Sequence, residues 1–414
     1  MLEYSLKMTS DKVKILIIIH NQSNTGPYFK ILELCEALIN INLEVVLLCT
    51  SRTKRLQIKH HIINSIEIIE SPDLLMGKFR QGIDIWNTFN RIFTLRKLKF
   101  DLIHAIDCRP VVIIPALIIK NKLKIPLIIS WWDLFSSGGT SLERSGVIYS
   151  YTLGKIEEIF ETSFRKYATV STVISSNLFN RLENLGVDKE YIFLLRTGSN
   201  IKQIEQKELA KLRLKLNLSI NKIIFCYVGT IFERDLKLLL TSLGLLSQSE
   251  LDKVFTILIG NHHLPKDICD KLNIFQTGYL KTTSEIFEFL LASDFGLLPL
   301  ANTPANQARW PSKITDYWSS GLPVLATPVN DFKNIFSDKE IGLLSENDHP
   351  ESYSALLKQA ILLSKAEKKH MSEKARKFAE MEFDWKVIAK KQKEIYKLAI
   401  TKNNCKNLLP SKNY

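Results

Sequence analysis

The chain has 414 residues, more than one hydrophobic core usually serves, so two domains are expected. A composition of 45% hydrophobic and 24% charged residues, with only 16 Gly and 13 Pro, excludes a disordered or low-complexity chain. The net charge of +13 fits an anionic partner (a membrane surface, a nucleic acid or a phosphorylated substrate), or else a background rich in Lys, since no run of five or six like charges occurs.

Val13 to Ile19 is apolar but for Lys14, the signature of a buried strand in a parallel sheet. A polar loop over 20–25 follows, and Gly26-Pro27 opens a helix to about Asn40. Glu44 to Cys49 completes a strand–helix–strand unit. Its loop holds only Gly26, so the glycine pattern of a nicotinamide site is absent. Strands are then expected at 66–70, 101–106, 126–130 and 168–174. Helices are expected at 79–98, 110–120, 155–167 and 177–185. The helix over 79–98 carries Arg80, Arg91, Arg96 and Lys97 among Phe, Trp and Ile. Interfacial docking and a plain amphipathic core helix both suit it, and the core reading is preferred. Ser136-Ser-Gly-Gly139 reads as a flexible loop.

A turn at 197–200 and a charged helix over 204–216 break the pattern, and a domain boundary is placed there. Strands resume at 223–228, 255–259, 274–277, 295–299 and 323–327. Helices are expected at 235–246, 283–292, 312–320, 352–365 and from 385 to about 400. The result is two doubly wound sheets, at 1–200 and 201–385. The last helix, 386–400, packs back on the first domain, and 401–414 is left as a polar tail. Lys365 to Lys377 reads as a solvated helix face. The six cysteines form no Cys-x-x-Cys pair and look like reduced packing residues of a cytoplasmic protein. The N-terminus lacks a signal-peptide pattern, and the longest apolar stretches are too short to span a bilayer. Membrane contact is therefore expected to be peripheral.

Residues 309–329 are the most informative segment. Pro311 suits a first helical position, Gly321 a left-handed stop, and Leu322 to Ala326 a short buried strand. Lys313 and Asp316 are three apart and share a helix face. A cation and a helix N-terminus suit a diphosphate, and the acid one turn on suits a pair of ribose hydroxyls. An ordinary helix with a surface Lys and Asp is the plain alternative.

Two doubly wound domains with this segment in the second resemble the GT-B glycosyltransferases, and more narrowly glycosyltransferase family 4. The markers come in order: Gly26; Asp101-Leu-Ile-His-Ala105; Thr172-Val-Ile-Ser175 with Gly186; Leu195 to Asn200; Tyr227-Val-Gly-Thr230; Ala292-Ser-Asp294 to Pro299; and Gly321 to Thr327. The resemblance runs along about 13–400. It implies two Rossmann-like domains facing across a cleft, with the acceptor on the first and the nucleotide-sugar donor on the second.

It also implies residue roles. Gly229 would let a phosphate approach the backbone. Thr230 stands where the family has an Arg, and Arg234 about where it has a Lys. Arg234 is thus the diphosphate candidate, or else a surface Arg paired with Glu233 or Asp235. Asp316 matches the second acid of the family's Glu-x7-Glu; the first falls on Ala308 and is missing, with Asn306, Gln307 and Arg309 beside it. Arg309, Pro311, Ser312 and Lys313 complete the donor set, and Lys313 would supply the charge that Thr230 does not. On the acceptor side, Ser130-Trp-Trp-Asp133 stands where the family has Thr-x-His-Asp. Asp133 is the candidate hydrogen-bonding acid, or else a turn cap. Gly26, Trp132, Gly138, Gly139 and Arg144 are the other acceptor-side candidates. Trp131 and Trp132 suit sugar stacking or a core equally well. His20 lies by the site, His104 is read as packed, and His262-His263 as loop, because no third metal ligand accompanies them.

The reading implied is a metal-independent, retaining hexosyl transfer without a resident cofactor. Arg234, Lys313 and Asp133 act as the catalytic groups, and the acceptor is a glycan or glycolipid of surface polysaccharide or lipopolysaccharide assembly. The protein is placed in the cytoplasm, at the inner face of the membrane. A catalytically silent nucleotide- or glycan-binding protein is the alternative, resting on Ala308, Thr230 and Trp132. A nucleotide-sugar 2-epimerase lacks the His and acid set it needs, and nucleic-acid binding rests on charge alone.

Overall fold

The structure, a computed structural model, describes residues 12–75, 82–136, 139–140, 153–201, 206–337 and 339–408. The chain forms two compact units. One takes residues 1–197, 308–310 and 385–414, the other 198–307 and 311–384.

In the first unit the strands are β1 (Lys14–Gln22), β2 (Glu44–Thr50), β3 (Lys59–Ile63), β4 (Ile66–Ser71), β5 (Leu102–Ile106), β6 (Leu127–Trp131), β7 (Val170–Val173) and β8 (Ile192–Leu194). They lie in the order β3-β4-β2-β1-β5-β6-β7-β8, parallel except for the β3–β4 pair. The helices are α1 (Gly26–Ile39), α2 (Ile85–Leu95), α3 (Pro110–Leu123), α4 (Leu153–Ser163) and α5 (Ser176–Asn184), joined by the C-terminal helix Trp385–Leu408. The period-two alternation of strands explains the continuous apolar run of β1. Ile15, Ile17 and Ile19 pack with Val45 and Leu47 under α1 and the C-terminal helix. Leu16 and Ile18 pack with Val46 and Leu48 under α3.

The C-terminal helix is a structural part of this unit. Trp385, Ile388, Ala389, Ile395, Tyr396 and Ala399 are buried in its core. Trp385 Nε1 donates to Glu33 Oε2 (2.9 Å) and Lys393 Nζ to the Ile41 carbonyl (2.8 Å). The helix runs beyond the expected end at 400 to Leu408. Polar side chains hold the extra turns: Lys402 Nζ sits over the Tyr191 ring, and Asn403 donates to the Lys124 carbonyl (2.9 Å).

His104, fully buried on β5, bridges this helix to the sheet. Nδ1 lies 2.8 Å from Tyr396 Oη and Nε2 2.6 Å from Ser130 Oγ. Burial pushes its pKa down to about 3. Above pH 6.5 the ring is neutral in both folded and unfolded chains. Below that the unfolded chain takes up a proton that the folded one refuses until about pH 3, so stability falls as pH falls through this window. Relative to His104→Asn, the wild-type urea midpoint should therefore drop from pH 6.5 to pH 4, so that the two proteins differ in slope. An unchanged slope would remove His104 as its source.

Helix α2 packs on the core through Ile92 and Leu95, as the amphipathic core helix preferred from sequence would, but the rest of its buried face is polar. Arg91, fully buried, donates to Ser71 Oγ, Thr50 Oγ1 and the carbonyls of Ile19 and Val111, all at 2.8–2.9 Å. Asn87 Oδ1 accepts from Ser71 Oγ (2.7 Å), and Asp84 caps the helix through the Asn87 N–H (2.9 Å). These bonds fix the rotation of α2 about its axis, so a second apolar stripe, Ile85, Trp86, Phe89 and Phe93, faces solvent.

The second unit contains α6 (Gln206–Lys215), β9 (Ile223–Val228), α7 (Glu233–Gly244), α8 (Gln248–Leu251), β10 (Val254–Ile259), α9 (Lys266–Lys271), β11 (Ile274–Gly278) and α10 (Thr283–Ala292). It continues with β12 (Phe295–Leu298), α11 (Pro304–Ala308, whose last residue clusters with the first unit), α12 (Lys313–Ser319), β13 (Val324–Ala326), α13 (Phe332–Phe336), β14 (Gly342–Leu344), α14 (Pro350–Leu362) and α15 (Lys365–Glu382). Its sheet, β11-β10-β9-β12-β13-β14, is parallel throughout. Among the described residues, no helix is long and apolar enough to cross a membrane. Cys35, Cys49, Cys108 and Cys226 are buried free thiols.

Candidate functional site

In an open parallel sheet, ligands bind outside the carboxyl ends of the strands where the strand order reverses. In the second unit that point lies between β9 and β12. Gly229 follows β9 with φ +84°, and open space surrounds the position a Cβ would take. Its neighbour Thr230 is exposed, and α7 begins three residues on. The N-cap of α7, Phe232, offers no side-chain cap, and Arg234 stands exposed on the first turn.

Beyond β12 the chain returns to this spot. Asp235, buried at the start of α7, accepts from the Ala301 N–H (2.9 Å) and from Asn306 Nδ2 (3.1 Å). That ties the connection after β12 to α7. Helix α12 then places Lys313 with Nζ 3.7 Å from the Tyr227 ring centroid and 3.4 Å from the Thr230 carbonyl oxygen. The ammonium therefore stands over the Gly229–Thr230 turn. Tyr317, one turn further along α12, is the strut behind it. Its hydroxyl accepts from the Val228 N–H (3.0 Å) and donates to the Leu297 carbonyl (3.3 Å), and its ring fills the space beside Gly296, where a Cβ would collide with it.

One expectation is corrected here. The helix starts at Lys313, not at Pro311. The Pro311 and Ser312 carbonyls accept from Ile314 and Thr315 N–H in tight i to i+3 turns (3.0 and 3.1 Å), so those N–H groups are already used. A seven-residue helix opened in this way is no anion site by itself; positive charge comes from the Lys313 side chain. Asp316 Oδ1 accepts from Ser199 Oγ (2.7 Å), a partner 117 positions away that no sequence spacing pointed to. The end of α12 is as expected. Gly321 has φ +68°, and the Gly321 and Leu322 N–H groups close the helix on the Trp318 and Tyr317 carbonyls (2.9 and 2.8 Å).

His262, expected to be plain loop, is also drawn in. It follows β10, meets the Tyr227 ring edge-on at 6.2 Å and has its pKa lowered by burial. Among the described residues, no group of three His, Cys, Asp or Glu side chains is placed to hold a metal. Ala308 is fully buried, with its carbonyl accepting from Ser175 Oγ (2.5 Å); Arg309 is half-buried, and Trp310 lies under the Arg196 guanidinium at 4.6 Å.

In the first unit the order reverses between β1 and β5. Gly26 opens α1 beside free space. His20, past the buried part of β1, packs edge-on against Phe135 at 5.8 Å. Arg109 lies over the same ring at 3.8 Å and forms a buried ion pair with Glu157. Asp107 follows β5 with φ +64° and accepts from the Trp132 N–H (3.0 Å). Burial, with the Asp133 charge adding to it, pushes the Asp107 pKa up to about 7.

Half-buried Asp133 follows β6 in a segment with a rigid root. Glu161, buried on α4, accepts from Trp131 Nε1 (2.9 Å), Phe135 N–H (3.1 Å), Ser136 N–H (2.8 Å) and Ser136 Oγ (2.5 Å). Ser136 is thus fixed, which corrects the flexible-loop expectation at its first residue. Gly139 closes against the Leu134 and Ser136 backbone with no room for a Cβ. The tryptophans are packing groups. Trp131 is buried beneath the Arg165 guanidinium (3.7 Å), and Trp132 packs partly buried against the core and lines a small cavity with His104 and Gln392. Gly138 and Arg144 lie outside the described residues.

Two doubly wound units with their switch-point loops so equipped define a GT-B glycosyltransferase fold. Residues 210–378 match the model for glycosyl transferases group 1, so this stretch is similar to that family. No curated protein sequence matches the chain. Among solved structures, HepE from Anabaena, in complex with UDP and glucose, is similar with a TM-score of 0.68 at 14% identity, over 92% of this chain and 98% of that one. WaaG, a glycosyltransferase involved in lipopolysaccharide biosynthesis, has a TM-score of 0.67 at 16% identity, over 92% and 99%. Sucrose-phosphate synthase from Thermosynechococcus elongatus has a TM-score of 0.71 at 15% identity, over 94% and 100%. At these identities the likeness is one of fold.

Proposed function

We propose that this chain is a retaining glycosyltransferase that moves a hexosyl group from a nucleoside diphosphate sugar to a lipid-linked or polysaccharide acceptor of surface-glycan assembly, at the inner face of the cytoplasmic membrane. The observation that carries the donor half is Lys313 Nζ poised over the Gly229–Thr230 turn at the strand-order reversal. It supplies the cation that Thr230, in place of an Arg, does not. Arg234 on the first turn of α7 is the second diphosphate ligand. Asp316, aligned by Ser199, takes the ribose hydroxyls. Gly229, Thr230, Arg309, Pro311 and Ser312 line the donor loops. Asp133 meets the acceptor hydroxyl or the sugar it attacks, with Gly26 and Gly139 on the acceptor side. HepE binding UDP-glucose and WaaG acting in lipopolysaccharide synthesis support a reading of this kind.

Retention follows from attack on the face that the nucleotide leaves. The bond from the anomeric carbon to the phosphate oxygen breaks, the bond to the acceptor oxygen forms, and the departing diphosphate takes the acceptor proton. Protein cations stabilise that leaving charge without a resident metal, and the protein otherwise supplies position.

Thermal unfolding with UDP, GDP, ADP and CMP tests the reading. A ligand at 100 times its dissociation constant adds about 2.7 kcal/mol of stability. One nucleoside diphosphate should raise the midpoint, and Arg234→Ala and Asp316→Ala should abolish the rise. Thr230 and the buried Ala308 favour a second reading, a silent binder. Binding without hydrolysis or transfer of any nucleotide sugar would establish it, and no shift with any nucleotide would overturn the donor site.

A further inference from the structure

The rotation of α2 has a consequence at the surface. At 100° per residue, Ile85, Trp86, Phe89 and Phe93 fall within an arc of about 100°. Leu74 joins them, because Asp84 at the head of α2 also accepts from the Leu74 and Leu75 N–H groups (2.6 and 2.9 Å). Leu56 joins through its neighbour Arg55, which donates to the carbonyls of Asp73 and Leu75 (2.9 and 3.4 Å). These six large apolar side chains are each between 40% and 72% exposed. Isolated exposed apolar residues need no explanation, but six on segments stapled together do.

The rim is basic. Arg52 and Lys54 flank Leu56, and Arg96, Lys97 and Lys99 follow Phe93, all exposed. Lys122 donates to the Arg96 carbonyl (2.7 Å), which brings a further cation to the same end. Residues 82–100 contain one carboxylate, Asp84, and it is buried and used as the cap.

We propose that this face is a docking surface for an anionic lipid bilayer. Trp86, Phe89 and Phe93 enter the interface, and the flanking Arg and Lys side chains lie along it with their charges toward the phosphates. The chemistry favours lipid over a second copy of this chain, since pairing two such faces would bring the two basic rims together. The proposal rests on the membrane-surface reading above only for why a bilayer should be met.

Co-sedimentation of the full chain with vesicles tests it. The protein should bind vesicles of phosphatidylcholine mixed with phosphatidylglycerol, bind phosphatidylcholine alone far more weakly, and release with salt. Trp86→Ser/Phe89→Ser/Phe93→Ser should lower partitioning at least about tenfold, with an unchanged thermal midpoint because these side chains are exposed. Arg96→Gln/Lys97→Gln should abolish the preference for anionic lipid. Equal partitioning of wild type and triple variant, or no binding to anionic vesicles, overturns the proposal. So does a wild-type dimer in sedimentation equilibrium that the triple variant loses while vesicle binding is unaltered. Vesicle binding is read without donor or acceptor, so its failure leaves the donor site standing, and failure of nucleotide binding leaves the vesicle result standing.

Discussion

Lys313→Ala should weaken nucleoside diphosphate binding by roughly 10- to 150-fold, the equivalent of one charge-assisted contact of about 1.5–3 kcal/mol. The ammonium is already in place without ligand, between the Tyr227 face and the Thr230 carbonyl. Little side-chain entropy remains to be lost when a phosphate arrives, and this puts the expected effect toward the upper end. Lys313→Arg should restore part of the affinity, since charge returns but a planar fork replaces a point charge. In the absence of nucleotide the variant should unfold within about 0.5–1 kcal/mol of wild type, because a partly exposed cation–π contact is worth no more. Titration calorimetry with the diphosphate identified by thermal shift is the measurement. Unchanged affinity would remove Lys313 from the site and leave Arg234 as the sole cation proposed for the diphosphate.

Arg91→Ala should strongly destabilise the first unit, by about 3–5 kcal/mol, because several buried acceptors lose their donor at once. The side chain is fully buried and donates to four acceptors drawn from β1, β2, β4 and α3. Truncation leaves the Ile19 and Val111 carbonyls and the Ser71 and Thr50 hydroxyls short of a donor, inside a cavity the size of a guanidinium. Arg91→Lys should recover little, since one ammonium cannot reach four acceptors spread over a fork. For a unit of this size the loss corresponds to a midpoint roughly 6–20 °C lower. The measurement is calorimetric unfolding; a fall of under about 1 kcal/mol would mean that water or a rotated α2 replaces the guanidinium.

These two residues also mark where the sequence was legible and where it was not. The fold was written in local patterns. The run from Val13 to Ile19 had to be covered on both faces, Gly26-Pro27 had to open a helix, and Gly321 had to end one. The short edge strands β3, β8 and β14 escaped notice, because three to five half-exposed residues give little periodicity. Lys313 and Asp316 were visible because one helix turn joins them. Ser199, which orients Asp316, and Glu161, which roots the segment carrying Asp133, were not, because their partners lie 117 and about 25–30 positions away. For α2 the core helix was legible but the polar part of its buried face was not. Periodicity separates apolar from polar positions and is silent on which polar ones turn inward; four acceptors converging on Arg91 decide that.

The C-terminal helix completes the first unit from the far side of the second in the chain. During synthesis, residues 12–197 emerge with the apolar surface that Trp385, Ile388, Ile395 and Tyr396 will cover still bare. All of residues 198–384 must be made before that helix exists, a wait of about 10–40 s at ~5–20 residues per second. The first unit to be translated is therefore the last to close. A ribosome paused within the second unit would hold out an unfinished, sticky sheet, the kind of surface that chaperones bind.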